Sequence, residues 1–136
     1  MTINEFYRRQ LSLWPLASDN VRALFSVCSR ALLPAGHEEG MQFVLQHNPA
    51  RARSTGAKTD AASVAARPCF LCRSSRPYEQ IALSPGELGD EFSDLDYEIL
   101  VNPYPIFPYH FTIPSVSHMP QVIADDRCMR FGDMLR

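Results

Sequence analysis

Fold and chemistry are best predicted from the stretch Arg67-Pro68-Cys69-Phe70-Leu71-Cys72. Two thiolates separated by two residues can bind one metal ion from a single tight turn. A histidine from a distant part of the chain can add a third ligand, and His118 is a good candidate because it follows Pro114, where the chain leaves a predicted strand. We therefore expect Cys69, Cys72 and His118 to meet in a metal site.

Two other interpretations of the cysteine pair stay open from spacing alone, namely a redox pair and two structural cysteines. A thioredoxin-like pair opens a helix after a buried strand, whereas no strongly apolar strand leads into Cys69, since the residues from Ala62 to Arg67 are mostly small. The sequence contains no His-x-His or His-x-x-x-His pair and shows no obvious fourth ligand. A catalytic zinc site built entirely from this sequence is therefore not expected.

Composition is that of an ordinary globular domain. The 136 residues are 46% hydrophobic and 21% charged, which excludes a disordered chain. A formal charge of −2 argues against nucleic acid and against an anionic membrane surface as partners. No long apolar run or secretory signal is visible, so we expect a cytoplasmic protein without a membrane segment. Cys28 and Cys128 lie in apolar patterns and are predicted to be buried small hydrophobes.

Charge is unevenly distributed along the chain. The segment between His47 and Pro77 carries six basic residues and one acid, whereas six acids and no base lie between Glu87 and Glu98. Arg51 and Arg53 would point to the same side of an extended segment, where two guanidinium groups and Lys58 could bind a phosphate. A solvated loop with scattered arginines is the alternative.

The predicted elements indicate an α+β fold in which helices cover an antiparallel sheet. One helix is predicted from Ile3 to Trp14, and a second, capped by Ser18 or Asp19, is predicted to continue through Leu32. Residues 41–47, 97–101 and 110–113 are predicted strands, and the acidic stretch before the second of these is predicted to be a solvated loop. Residues 60–66 allow a helical turn or a loop, and Pro120 is predicted to start a last helix.

Taken in order, these motifs resemble the galactose-1-phosphate uridylyltransferase branch of the histidine triad superfamily, and in particular its nucleotide-sugar phosphorylases. The resemblance covers residues 40–124 or so. It implies that a strand leads into a basic substrate-binding segment at Arg51, Arg53 and Lys58, and that Cys69 and Cys72 are zinc ligands. It further implies that Asn102, at the end of a strand, contacts a nucleotide ribose, and that His118 is a zinc ligand.

The same resemblance implies a fold and a reaction. The fold would be a histidine-triad-like antiparallel sheet flanked by helices and incomplete here: residues 1–136 would be the N-terminal part of a single domain, with a helical lead-in over 1–35 and the sheet, metal loop and start of a helix over 40–136. A histidine would attack the α-phosphorus of a nucleotide sugar and form a covalent nucleotidyl intermediate, and the zinc would be structural.

None of the four histidines matches the family's His-x-His-x-Gln/His nucleophile motif, which would lie farther downstream. This chain alone is therefore expected to be inactive. The implied partners are a nucleotide sugar or a sugar phosphate, and a homodimer stays open. A function of a different class also stays open, namely a non-catalytic zinc-binding module that recruits another protein.

Overall fold

The computed structural model describes residues 1–32, 43–52, 56 and 58–119. Within these residues the protein has three α-helices, Ile3–Leu13 (α1), Pro15–Ala23 (α2) and Ala61–Ala66 (α3). Its strands are Cys28–Leu32 (β1), Phe43–His47 (β2), Leu100–Val101 (β3) and Phe111–Thr112 (β4), and they form two small antiparallel sheets, β1–β2 and β3–β4. The predicted α+β class is thus confirmed, while the likeness to the histidine triad fold stays a prediction.

Helix α1 begins at a capping box. The Thr2 hydroxyl accepts a hydrogen bond from the Glu5 amide, and the Glu5 carboxylate accepts one from the Thr2 amide. The helix ends at Leu13, one residue before the predicted end at Trp14, and Pro15 prevents it from continuing. It buries Phe6, Tyr7 and Gln10, and so supplies one wall of the core.

Helix α2 differs from the prediction at both ends. It begins at Pro15 with Trp14 as N-cap, so the predicted caps at Ser18 and Asp19 are wrong. Proline suits the first helical position because the amide hydrogen that it lacks would have no intrahelical partner there. The helix ends at Ala23, and a 3₁₀ turn over Leu24–Ser26 follows.

Strand β1 occupies residues that were predicted to continue the second helix. Antiparallel pairing runs from Cys28 opposite His47 to Leu32 opposite Phe43. Backbone hydrogen bonds to β2 outweigh the helical spacing of the apolar residues, a case of long-range pairing overriding local propensity. Every residue of both strands is exposed, so the prediction that Cys28 is buried is also wrong.

The core forms where α1 packs against the second sheet. Its buried hydrophobic side chains are Phe6, Tyr7, Leu83, Ile99 and Val101. Phe111 on β4 joins them: its ring centroid lies 6.4 Å from that of Phe6 and 5.7 Å from that of Tyr7. The sheet side of the core therefore comes from both β3 and β4.

Residues 97–101 are only partly a regular strand. Leu100 and Val101 pair with Thr112 and Phe111, whereas Tyr97 and Ile99 make isolated bridges to Ser115 and Leu83. The predictions of strands near 97–101 and 110–113 are thus confirmed in position but not in full length.

Two further predictions fall near the ends of the described ranges. Residues 61–66 form α3, with the Asp60 carboxylate accepting a hydrogen bond from the Ser63 amide. The predicted helix from Pro120, and with it the burial of Cys128, lies outside the described residues.

None of the described helices is both long enough and apolar enough to cross a membrane.

Candidate metal centre

The cysteine pair lies on a tight turn. The amide of Cys72 donates a hydrogen bond to the carbonyl oxygen of Cys69 at 3.1 Å, and the amide of Ser75 donates one to the carbonyl oxygen of Cys72 at 2.9 Å. Both cysteines are half-buried and neither forms a disulfide. Two consecutive hydrogen-bonded turns therefore hold both cysteines on one short segment of the backbone.

His118 approaches the cysteine turn from a distant part of the chain. Its Nδ1 atom lies 3.2 Å from Cys72 Sγ, although the two residues are 46 positions apart. One ligand atom from each of Cys69, Cys72 and His118 lies within 4.8 Å of the others. The predicted three-residue cluster is thus present, and it could hold a metal ion.

Distances and donor types both fit a tetrahedral ion. Zinc–sulfur bonds of about 2.3 Å and zinc–nitrogen bonds of about 2.0 Å put neighbouring ligand atoms about 3.5–3.8 Å apart. The separation of 3.2 Å between Cys72 Sγ and His118 Nδ1 and the upper limit of 4.8 Å for the whole cluster lie on either side of this range, so the three donors could bind one ion. Two thiolates and an imidazole form a donor set that suits Zn²⁺ and other borderline or soft ions rather than Mg²⁺ or Ca²⁺.

Local hydrogen bonds make the two thiols unequal. Donation from the backbone of Leu71 lowers the pKa of the Cys69 thiol. The hydrogen bond with Cys69 raises the pKa of the Cys72 thiol. Cys69 is therefore the more acidic of the two thiols.

Sequence reasoning missed a buried ion cluster beside the turn. Glu98 accepts a hydrogen bond from Arg73 Nε at 2.7 Å and also binds the guanidinium of Arg76. The side chains of Glu98 and Arg76 are only 3% and 6% exposed, so this carboxylate and this guanidinium form a buried ion pair. One signal was available: Glu98 lies in a predicted strand next to Ile99 and Leu100, where a buried acid needs a cationic partner.

Two of the predicted substrate-binding residues meet at a second place, the proline-rich loop over residues 103–109. Arg51 donates from NH1 to the Tyr104 carbonyl oxygen at 2.8 Å, and Asn102 Oδ1 accepts from the Tyr104 amide at 2.9 Å. Asn102 also donates from Nδ2 to the Thr112 hydroxyl at 3.2 Å. The loop thus brings together two side chains that lie far apart in sequence.

His110 follows this loop. Burial, with a smaller contribution from the charge of Arg51, lowers the pKa of the His110 imidazole. The lowered pKa favours the neutral form, in which one ring nitrogen accepts a hydrogen bond, and Nδ1 accepts one from the Ile106 amide at 3.3 Å. His110 therefore helps to close the loop, and it is not part of the metal cluster.

The other two predicted substrate-binding residues are not joined to this group. Lys58 is exposed, and its carbonyl oxygen accepts a hydrogen bond from Arg67 NH2 at 2.6 Å. No hydrogen bond between described residues links its side chain to Arg51 or Asn102. Arg53 lies outside the described residues.

Comparison with known proteins gives a family but no activity. The model of a family described as a domain of unknown function, DUF4922, matches residues 6–136, so the chain belongs to that family. No curated protein and no solved structure matches the chain significantly.

Proposed function

We propose that Cys69, Cys72 and His118 bind a structural Zn²⁺ ion. The observation that carries this proposal is the convergence of the three donors within 4.8 Å from segments on either side of β3 and β4. An ion at this point would link the cysteine turn to the segment after β4, so that binding and folding would be coupled. The fourth position would be filled by water or by a ligand from elsewhere.

We propose further that the chain is the N-terminal portion of a nucleotidyltransferase or phosphorylase that acts on a nucleotide sugar. Two observations support this proposal. The metal donors meet, as the resemblance to the uridylyltransferase branch requires, and Arg51 and Asn102 converge on the loop around Tyr104. In this proposal Arg51, Arg53 and Lys58 bind phosphate, Asn102 binds the ribose, and a histidine outside the positions present here is the nucleophile.

A non-catalytic zinc-binding interaction module is the second candidate, and a specific observation favours it. Asn102 uses its carbonyl oxygen for Tyr104 and its amide for Thr112, which is the pattern of a residue that stabilises a loop. In addition, strand β2 exposes Phe43, Val44 and Leu45, whose fractional exposures are 51%, 67% and 61%. Phe43 and Leu45 lie on the same face of β2, and neighbouring exposed apolar side chains favour a surface that binds another protein.

Isothermal titration calorimetry with UDP-glucose and GDP-glucose on the zinc-loaded chain distinguishes the two candidates. The first predicts binding, weakened about 10- to 100-fold by Arg51→Ala, because a hydrogen bond from a charged group contributes about 1.5–3 kcal/mol. Arg9→Ala, on the exposed face of α1, is the control and should bind as the unmodified chain does.

The results can also contradict the proposal. Zinc binding without measurable affinity for either nucleotide sugar would favour the interaction module. Equal weakening by Arg51→Ala and Arg9→Ala would remove Arg51 from the phosphate site. Turnover of a nucleotide sugar by this chain alone would overturn the expectation that it lacks the nucleophile.

A further inference from the structure

Glu98 contacts both segments that supply the metal donors. Its carboxylate binds Arg73 and Arg76, which directly follow the cysteine turn. Its backbone amide donates to the Pro114 carbonyl oxygen at 3.0 Å, on the segment that leads to His118. One residue thus joins the two sides of the candidate metal centre.

Backbone hydrogen bonds restrict the conformation of the chain at both of these connections. On the cysteine side, a 3₁₀ turn over Arg73–Ser75 begins directly after Cys72. On the histidine side, the Val116 amide donates to the Asp96 carbonyl oxygen at 3.1 Å, two residues before His118. A displacement of Glu98 would therefore be transmitted to both groups of donors.

Burial makes the ion cluster a strong positional constraint. Because the side chains of Glu98 and Arg76 are almost fully buried, water cannot easily replace either partner. Separating a buried pair leaves an uncompensated charge, which strongly disfavours alternative positions of the turn. Arg73 adds a second, largely exposed contact at 2.5 Å from the same carboxylate.

We infer that Glu98 is a positioning residue for the metal centre: by holding Arg73 and Arg76 with its side chain and Pro114 with its backbone, it sets the distance between the cysteine turn and His118. The inference rests on the proposed metal site. Glu98 itself does not bind the ion. Its role is to keep the three donors at the separation that a single ion requires, so that little conformational freedom is lost on binding.

Cobalt titration tests this role, because Co²⁺ bound by thiolates gives a visible and near-ultraviolet spectrum that reports ligand type and geometry. Glu98→Gln keeps the shape of the side chain but removes its charge, and it should weaken Co²⁺ affinity about 10- to 100-fold, as loss of a group that orients metal ligands does. Glu91→Gln makes the same chemical change at an exposed position and should have no effect. Glu98→Asp, which keeps the charge, should recover part of the affinity.

Amide hydrogen exchange on the metal-free protein provides a readout that does not depend on metal. Glu98→Gln should accelerate exchange at the Val116 amide, and Glu91→Gln should leave it unchanged. If the unmodified chain binds no Co²⁺, the metal proposal fails, and the exchange experiment still decides whether Glu98 orders the His118 segment. Unchanged Co²⁺ affinity and unchanged Val116 exchange in a folded Glu98→Gln variant would overturn the inference.

A second variant covers the case in which Glu98→Gln does not fold. The Arg73 side chain is 74% exposed, so Arg73→Gln should fold while losing one of the two contacts to Glu98. Its Co²⁺ affinity should fall by up to about fivefold, the range of a largely exposed ion pair, and Arg9→Gln should be without effect. Equal affinities for the two arginine variants would then contradict the role of the cluster.

Discussion

The buried side-chain amide of Gln10 connects α1 to the rest of the core. The residue is fully buried on α1; its Nε2 donates to the Glu79 carbonyl oxygen and its Oε1 accepts from the Ile81 amide, both at 2.7 Å. Since both polar groups of the side chain are satisfied, the amide connects α1 to the segment that enters the core. Such a connection depends on both partners being present.

Replacing Gln10 should therefore be costly. Gln10→Ala leaves two backbone groups without a partner and should lower the free energy of unfolding by about 1–3 kcal/mol for each group that water cannot reach. Gln10→Glu keeps the acceptor for Ile81 but buries a carboxylate beside the Glu79 carbonyl oxygen without a cationic partner, so at pH 7 a loss at least as large is expected. Urea unfolding followed by circular dichroism measures both. A Gln10→Ala variant as stable as the exposed control Arg9→Ala would contradict this role.

The ion pairs of Glu98 predict how the stability of the protein depends on pH. Burial by itself raises the pKa of Glu98, but hydrogen bonds and charge from Arg76 and Arg73 outweigh it, so the pKa in the folded protein lies below the ordinary value of 4.5. A group whose pKa is lower when folded contributes stability above its unfolded pKa, and that contribution is lost as the pH falls through its folded pKa. We expect the chelator-treated protein to lose stability below about pH 4.5.

Comparison of variants isolates this contribution. Glu98→Gln should be less stable than the unmodified protein at pH 7, and the difference should shrink as the pH is lowered below 4.5. Urea midpoints measured from pH 7 to pH 3 provide the test, with Glu91→Gln as the exposed control. A difference that is constant over this range would mean that the charge of Glu98 does not stabilise the fold.

At the scale of the elements, the stability of α1 depends on the capping box in its first turn. Thr2 and Glu5 satisfy each other's amides, and the helix that they start carries Phe6 and Tyr7 into the core. Thr2→Ala should therefore destabilise the protein by about 0.5–2 kcal/mol, the usual effect of losing an N-cap. Thr2→Ser keeps the hydroxyl and should change little. Thermal unfolding distinguishes the two variants, and equal melting temperatures would show that the capping box contributes nothing measurable.

At the scale of the whole molecule, a bound metal should act as a long-range cross-link. Its ligands lie on segments separated by β3 and β4, so an ion that binds only the folded arrangement stabilises it. We expect a chelator to lower the melting temperature and added Zn²⁺ to restore it. Cys69→Ser should reduce the metal content far below the roughly one equivalent that a single site predicts.

Cys28 provides the matched control for this experiment. It is exposed on β1 and belongs to no candidate metal cluster among the described residues. Cys28→Ser should therefore retain both the metal content and the response to chelator. Equal metal content in Cys69→Ser and Cys28→Ser would exclude the proposed site.

The sequence by itself determined those features whose causes lie within a few residues of each other. Pro15 is sufficient to stop α1 near the predicted position, and the spacing of Cys69 and Cys72 is sufficient for two thiols on one turn. The position of His118 just after Pro114 made it a candidate for the third donor, and only the three-dimensional structure shows that its Nδ1 atom approaches Cys72 Sγ.

Tertiary structure alone decided the features that depend on a distant partner. Cys28–Leu32 is a strand because β2 pairs with it, and Glu98 is buried because Arg73 and Arg76 neutralise it. The meeting of Arg51 and Asn102 at Tyr104 is of the same kind. Local propensities differ by less than about 1 kcal/mol per residue, so strand pairing and the compensation of buried charge, which involve residues far apart in the chain, outweigh them.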